Sequence, residues 1–378
     1  MKQAGRILML SVLLLVFPVE VLGAGPKSSV LMEVSTGQIL QEDHAHEKLA
    51  PASVTKIMTM LLTMEAIDTG KIRWEDPVTA SETAAAKGGS QIYLKVGETM
   101  TVSDMLKAVA VSSANDCACA LAEHLCGSEQ AFVERMNERA GELGMKDTHF
   151  VNCTGLDDSP EAKEHRTTAY DIALMSRQLL KYHPEIRKFT TIWMDTLRNG
   201  TFGLSNTNRL IRFYNGATGL KTGYTRGAGF CLSASARRED MELIAVVMGA
   251  DTSRNRFGAC KSLLDYGFAN YALASAELPE DPSVPVILGR EKQVMLQLSE
   301  TGDLLVDKAS KNRISRELIL EPSVDAPVEA GQQLGTLILR DGEKILKELP
   351  LVASGSVDRL TWGELFVKVL GRAAMARV

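Results

Sequence analysis

The sequence predicts an α+β domain, then a small all-β module, then an amphipathic helix at the C-terminus. Three patterns carry this. Apolar residues recur at helical spacing between positions 53 and 182, and from about Gly219 the period drops to two. At Leu278-Pro-Glu-Asp-Pro-Ser-Val-Pro285 three prolines and two acids break all periodicity, and strand-like runs follow. A length of 378 residues suits two or three domains. The balance of 45% hydrophobic and 24% charged residues excludes disordered and polytopic membrane classes, and a net charge of −5 argues against a nucleic-acid partner.

Lys2 and Arg6 precede an apolar run over 7–17, with Pro18 and the small residues Gly23 and Ala24 after it. This is the layout of a signal peptide over 1–23, and the run is short for a membrane span of roughly 20 residues. The main domain is expected over 24–278. It begins with a hairpin of 30–34 and 38–40 turning at Thr36-Gly37. Ile57, Met60, Leu61, Met64 and Ile67 then predict a helix over 53–68 that is apolar nearly all round, and therefore buried.

Further helices are expected over 102–111, 114–126, 128–143 and 168–182. Strands follow at 221–225, 230–236 and 241–248, the last two turning at 237–240, and a closing helix at 254–271. The β module, 279–355, should hold strands at 284–289, 293–298, 304–306, 314–320, 335–340 and 344–349, with a hairpin at Asp341-Gly342. In the tail, 356–378, Trp362, Leu365, Phe366, Val369, Ala373 and Ala376 share one helical face, and Arg359, Lys368, Arg372 and Arg377 add positive charge. That composition suits a helix lying in a membrane surface, with docking on the protein's own surface as the alternative.

Six cysteines are present: Cys117, Cys119, Cys126, Cys153, Cys231 and Cys260. Cys117 and Cys119 point about 200° apart on one helix and cannot pair with each other. No Cys-x-x-Cys occurs, and His44-x-His46 is the sole close histidine pair, so zinc is not expected. The cysteines read as small buried hydrophobes, with one disulfide left open.

Three short motifs carry chemistry: Ser53-Val-Thr-Lys56, Ser113-Ala-Asn115 and Lys221-Thr-Gly223. Ser53 and Ser113 are 60 residues apart and Lys221 follows 108 later, so only a fold can unite them. Positions i and i+3 share a helix face, which sets Lys56 beside Ser53 as the base a serine nucleophile needs. An ordinary lysine is protonated at neutral pH; burial in the apolar helix, and the Lys221 cation, would disfavour its charge. At a helix N-terminus the Ser53 N–H would also face a developing oxyanion. Ser113 supplies a proton relay and Asn115 an amide, although the same residues make good helix-capping chemistry. Lys221 and Thr222 offer a carboxylate site on a strand, where Gly223 would let a substrate backbone approach closely.

Ala50-Pro-Ala-Ser53-Val-Thr-Lys56, Ser113-Ala-Asn115 and Lys221-Thr-Gly-Tyr-Thr225 together resemble the signature of the low-molecular-mass penicillin-binding proteins, the serine-type D-alanyl-D-alanine carboxypeptidases. Gly89-Ser-Gln-Ile-Tyr93 and Asn152-Cys-Thr-Gly-Leu156 support the match. The resemblance implies a penicillin-recognising, β-lactamase/transpeptidase-like domain, a β-rich stalk and an anchor on the outer face of the cytoplasmic membrane. It implies Ser53 as the acylated nucleophile, Lys56 as base, Ser113 as relay and Asn115 on the substrate amide. Lys221 and Thr222 would hold the terminal D-alanine carboxylate, and Tyr224 would share the oxyanion hole through its N–H. Arg256, or Arg254 close by, would be a second carboxylate-binding cation. The implied substrates are peptidoglycan stem pentapeptides, the implied inhibitors β-lactams, and no cofactor is required.

A class A β-lactamase would also need Glu-x-x-x-Asn between the second and third motifs. Glu161 is followed at that spacing by His165, and Glu164 by Thr168. A non-catalytic wall-binding domain would have no need of every reactive residue. Endopeptidase or transpeptidase action on crosslinks stays open, because nothing in the sequence shapes the acceptor side.

Overall fold

The computed structural model describes residues 25–274, 276–278, 282–299 and 302–375. The expected signal peptide, 1–23, lies outside the described residues, as do residues 376–378 and the side chains of Val369, Arg372 and Ala373 in the tail.

The predicted hairpin forms as β1 (Ser28–Glu33) and β2 (Ile39–Asp43). Its turn is fixed by the buried Glu33 carboxylate, which accepts the N–H groups of Ser35 and Thr36 at 2.9 and 2.7 Å. Helices α1 (Lys56–Asp68), α2 (Val102–Ser112), α3 (Asn115–Cys126), α4 (Glu129–Glu142) and α5 (Ala169–Tyr182) follow. Strands β3 (Ala217–Thr225), β4 (Gly229–Arg238) and β5 (Met241–Ala250) then precede the closing helix α6 (Ser253–Asn270). Most boundaries fall within one or two residues of the expected ones, because Thr101, Ser128, Thr168 and Thr252 cap α2, α4, α5 and α6 with their side-chain oxygens.

The hairpin joins the later strands in one antiparallel sheet ordered β2-β1-β5-β4-β3. β5, at its centre, is buried at all ten positions. Ile244, Val246 and Met248 face the helical core around α1, while Leu243, Ala245 and Val247 face α6. β3 lies at the edge. α1 is buried from Lys56 to Met64, with Ile57, Met58, Met60, Leu61 and Met64 at zero exposure, which fits the all-round apolar reading, and only its last turn reaches the surface at Asp68.

The C-terminal module has a core of its own, built on Val284, Leu296, Leu337, Leu339 and Leu351. Its six-stranded sheet uses β7 (Ser283–Ile287), β8 (Gln293–Leu298), β10 (Ile314–Leu320), β11 (Val324–Asp325), β12 (Gln333–Asp341) and β13 (Lys344–Ala353). Two details differ from expectation. The strand at 304–306 does not join this sheet. As β9 (Leu304–Asp307) it pairs with β6 (Tyr271–Ala274), the chain leaving α6, and so ties the two modules together. The hairpin reversal is made by Gly342-Glu343, one residue later than predicted, because Asp341 still pairs with Lys344. The tail helix α7 (Trp362–Met375) presents Trp362, Phe366 and Val367 at 88%, 65% and 68% exposure. No helix among the described residues is long and apolar enough to cross a membrane.

Candidate active site

Ser53 does not open the α-helix. It lies in a 3-10 turn, Ala52–Thr55, that leads into α1. The chain enters this turn through Ala52 at φ +48°, a left-handed conformation that costs a residue with a Cβ about 1–2 kcal/mol. Three groups hold it there. Gly155 packs so closely that a Cβ on it would fall 1.8 Å from the Ala52 carbonyl oxygen. Thr55 Oγ1 donates to that same oxygen at 2.8 Å. His165 completes the clamp: its Nδ1 accepts the Val151 N–H at 3.2 Å, which leaves Nε2–H to donate to Thr55 Oγ1 at 2.9 Å. Burial keeps this imidazole neutral and lowers its pKa to about 3.

Lys56 is wholly buried, with Nζ 2.9 Å from Ser53 Oγ and 2.8 Å from the Thr154 carbonyl oxygen. Burial lowers its pKa from 10.5 to about 7, against the opposing pull of Cys153 and Asp116. Burial is the largest cause at Lys56. Lys221 is pushed well below its ordinary value by burial first and by the Lys56 charge second, a repulsion that the two lysines share. The Thr154 carbonyl is presented by a turn in which Asn152 Oδ1 accepts the N–H groups of Thr154 and Gly155 at 3.1 and 2.6 Å. The 152–156 motif thus positions Lys56.

Ser113 ends α2 at φ +64°, and Asn115 opens α3. The alternative capping role is not taken up, since no side chain caps α3. Asn115 Nδ2 donates to the Gly88 carbonyl and its N–H to that of Ser90, both at 2.7 Å, while its buried Oδ1 has no partner. Asp116 accepts the N–H groups of Ile92 and Leu94 at 3.1 and 3.0 Å, so the 88–94 segment is moulded onto the start of α3.

Lys221 is buried on β3 and donates to the Thr222 carbonyl at 2.8 Å. Thr222 Oγ1 donates to Thr207 Oγ1 at 2.7 Å, and the Thr207 N–H donates to the Val111 carbonyl at 3.1 Å. That chain couples β3 to the helix ending in Ser113. Gly223 has a different reason from the one expected. A Cβ there would lie 2.7 Å from the Pro51 carbonyl oxygen and 3.1 Å from Ser53 N, so the space is filled by the turn that bears Ser53 and not by substrate. The Tyr224 side chain is 56% exposed and stacks on Phe230 at 4.3 Å.

Of the two candidate arginines, Arg254 is exposed, whereas Arg256 is buried and reaches β3. Its Nη1 donates to the carbonyls of Gly223 and Cys231 at 3.0 and 3.2 Å, and its Nε–H has no partner. As placed, the guanidinium braces the strand before it meets any carboxylate. Burial lowers its pKa, and the nearby Arg209 adds to this. The sequence reading missed both Arg209, which lies outside every motif, and His165, which figured only in the test for Glu-x-x-x-Asn. All six cysteines are free thiols. A cavity of about 580 Å³ beside Glu65, Leu125, Phe132 and Tyr182 contains none of the three motifs.

Over residues 20–252 the chain matches the family described as D-alanyl-D-alanine carboxypeptidase, and over 279–359 the penicillin-binding protein 5 C-terminal domain. It is 44% identical over 351 residues to a D-alanyl-D-alanine carboxypeptidase of Bacillus subtilis (strain 168), covering 91% of this chain and 89% of that one. Penicillin-binding protein 5 of Haemophilus influenzae superposes with a TM-score of 0.73 at 30% identity, covering 88% of this chain and 98% of that one. Penicillin-binding protein D2 of Listeria monocytogenes, in its ampicillin-bound form, gives 0.56 at 32% identity, covering 64% and 97%. A serine paired with a buried lysine, met by an edge strand bearing Lys-Thr-Gly on this shared fold, makes the chain a serine hydrolase that belongs to the D-alanyl-D-alanine carboxypeptidase family of low-molecular-mass penicillin-binding proteins.

Proposed function

We propose that this enzyme removes the terminal D-alanine of peptidoglycan stem pentapeptides through an acyl-Ser53 intermediate, and that β-lactams acylate the same oxygen. The observation that carries the assignment is the 2.9 Å contact between Ser53 Oγ and a Lys56 whose pKa is lowered to about 7 by burial. Half of such lysines are neutral at pH 7, and a neutral amine can take the serine proton as Oγ attacks the penultimate carbonyl. Ser113 relays that proton to the departing D-alanine amine. Water then hydrolyses the acyl-enzyme, with Lys56 again as base.

The remaining residues bind and orient. The unpartnered Asn115 Oδ1 is an acceptor ready for a substrate N–H. The N–H groups of Ser53 and Tyr224 supply the oxyanion hole. Lys221 and Thr222 take the terminal carboxylate, a bound anion favouring the charged form of Lys221. Arg256 offers its free Nε–H and Arg209 a further positive charge, while the free edge of β3 suits an extended peptide. D-alanine release from a synthetic pentapeptide tests the assignment. Wild type should release it and Ser53→Ala should not; equal release by both would reject it.

The same reading extends to location: an exported chain whose modules divide near residue 279, held at the outer face of the cytoplasmic membrane by α7. Separate hydrophobic cores support the division, and the exposed Trp362, Phe366 and Val367 support the anchor. Flotation with anionic vesicles should carry the full chain upward and leave a chain ending at Arg359 behind.

A further inference from the structure

Behind Lys56, three groups from separate elements converge. Cys119 on α3, Glu129 at the start of α4 and Cys153 in the loop after it place their ligating atoms within 4.8 Å of one another. Both thiols have zero exposure. Cys153 aims its N–H and its thiol at Glu129 Oε1, at 3.3 and 3.2 Å. Cys119 Sγ lies 3.9 Å from Oε2, which also accepts Lys87 Nζ at 2.5 Å. An ion pair between Lys87 and Glu129 needs no sulfur, and thiols are weak partners for a carboxylate.

We propose that Cys119, Glu129 and Cys153 bind a zinc-class divalent ion, with Lys87 as the outer partner of the carboxylate. Two sulfurs and one carboxylate oxygen are a zinc-type set, unsuited to magnesium or calcium. Charge balance permits the exchange. Both S–H bonds break, the two protons leave to solvent and two metal–sulfur bonds form. The ion, two thiolates, Glu129 and Lys87 then sum to zero, the same as the protonated cluster, so binding adds no net charge to the buried group, and Glu123 Oε1, 3.9 Å from Cys119 Sγ, is a further acidic neighbour. A cavity of about 410 Å³ bordering Lys87, Glu129, Asn152 and Thr154 opens on the carboxylate end of the cluster and gives access and room for a water as fourth ligand. The ion would pin the loop that holds the base, since the Cys153 carbonyl accepts Thr59 Oγ1 at 2.7 Å and the next carbonyl accepts Lys56. Local spacing hides the set, because its members come from three elements.

Cobalt(II) titration of the metal-free full chain tests this. One equivalent should produce a sulfur-to-cobalt charge-transfer band, which zinc displaces, with release of about two protons per ion. Cys119→Ser and Cys153→Ser should each abolish the band, and Cys260→Ser should keep it, with folding checked by circular-dichroism melting. Should a serine variant fail to melt cooperatively, Glu129→Gln carries the test, with affinity expected to fall at least tenfold. The proposal is overturned if wild type shows no band or if Cys119→Ser retains it. It is equally overturned if thiol titration after denaturation without reductant finds Cys119 and Cys153 joined as a disulfide.

Discussion

The Lys56 environment makes a quantitative claim about pH. At its ordinary pKa of 10.5 only about one lysine in 3,000 would be neutral at pH 7; at about 7, half are. Moving the pKa that far corresponds to about 5 kcal/mol and raises the supply of base more than a thousandfold. The sign follows: the active form is deprotonated, so acylation falls as pH drops through about 7. The assay is the second-order rate of Ser53 labelling by a fluorescent penicillin between pH 5 and 9, with Ser53→Ala as blank. The rate should be half-maximal near pH 7 and about 100-fold below its plateau at pH 5. Lys56→Arg keeps a cation there but cannot give up its proton, so its rate should be at least 1,000-fold lower at every pH. A flat profile, a midpoint near 10, or an arginine variant within tenfold of wild type would refute the reasoning. Peptide turnover should fall on the alkaline side as well, because burial also lowers Lys221 and its neutral form no longer attracts a carboxylate; the two lysines titrate as a pair.

The same geometry fixes the outcome of changes at Lys56, His165 and two glycines. Lys56→Met should abolish acylation yet raise the unfolding free energy at pH 6, read from urea denaturation, by about 1–3 kcal/mol once the lost hydrogen bonds are set against the relieved burial of charge. His165 is neutral in the fold and takes up a proton in the unfolded chain below pH 6.5, so wild-type stability should drop by about 1.4 kcal/mol per pH unit from this group between pH 6 and 4. His165→Phe should flatten that part of the urea-denaturation profile, at a cost of about 1–3 kcal/mol at pH 7 for the unpaired Val151 N–H and Thr55 hydroxyl. Gly223→Ala should slow penicillin labelling at least 100-fold with only about 1–3 kcal/mol lost in urea, since its Cβ strikes the Ser53 turn and not the core. Gly155→Ala, whose Cβ would enter the Ala52 carbonyl, should instead fail to give a cooperative melt.

What was legible in the sequence divides along a physical line. Residues that react are constrained by chemistry: a serine needs a base one helical turn away, and a carboxylate needs a cation. Ser53, Lys56, Asn115 and Lys221 could therefore be picked out as candidates from residue type and short spacing, and the contact of Lys56 with Ser53 was legible in the i, i+3 spacing. Helices and strands of the main domain were legible because their faces are buried on one side. β5, buried on both faces, showed a near-continuous apolar run and still read as a strand because Arg237 to Asp240 marked the turn before it. The pairing of β9 with β6 was not legible, since no local pattern records which sheet a short apolar run will join.

Positioning groups were read least well, and the glycines show why. Gly223 looked like an opening for substrate because Lys-Thr-Gly was considered alone; its neighbours in space are Pro51 and Ser53, more than 160 residues away in the chain. Gly155 was a motif letter with no task until the Ala52 carbonyl was placed 1.8 Å from its absent Cβ. His165 is the sharper case. Its absence of charge, forced by burial, makes Nε2–H a donor to Thr55, so the strained turn bearing Ser53 is held by hydrogen bonds that no pH change above about 4 can remove. A site whose proposed base, Lys56, has its pKa lowered to about 7 thus rests on a clamp that does not titrate in that range. Protonation can switch the chemistry off without loosening the turn that presents Ser53.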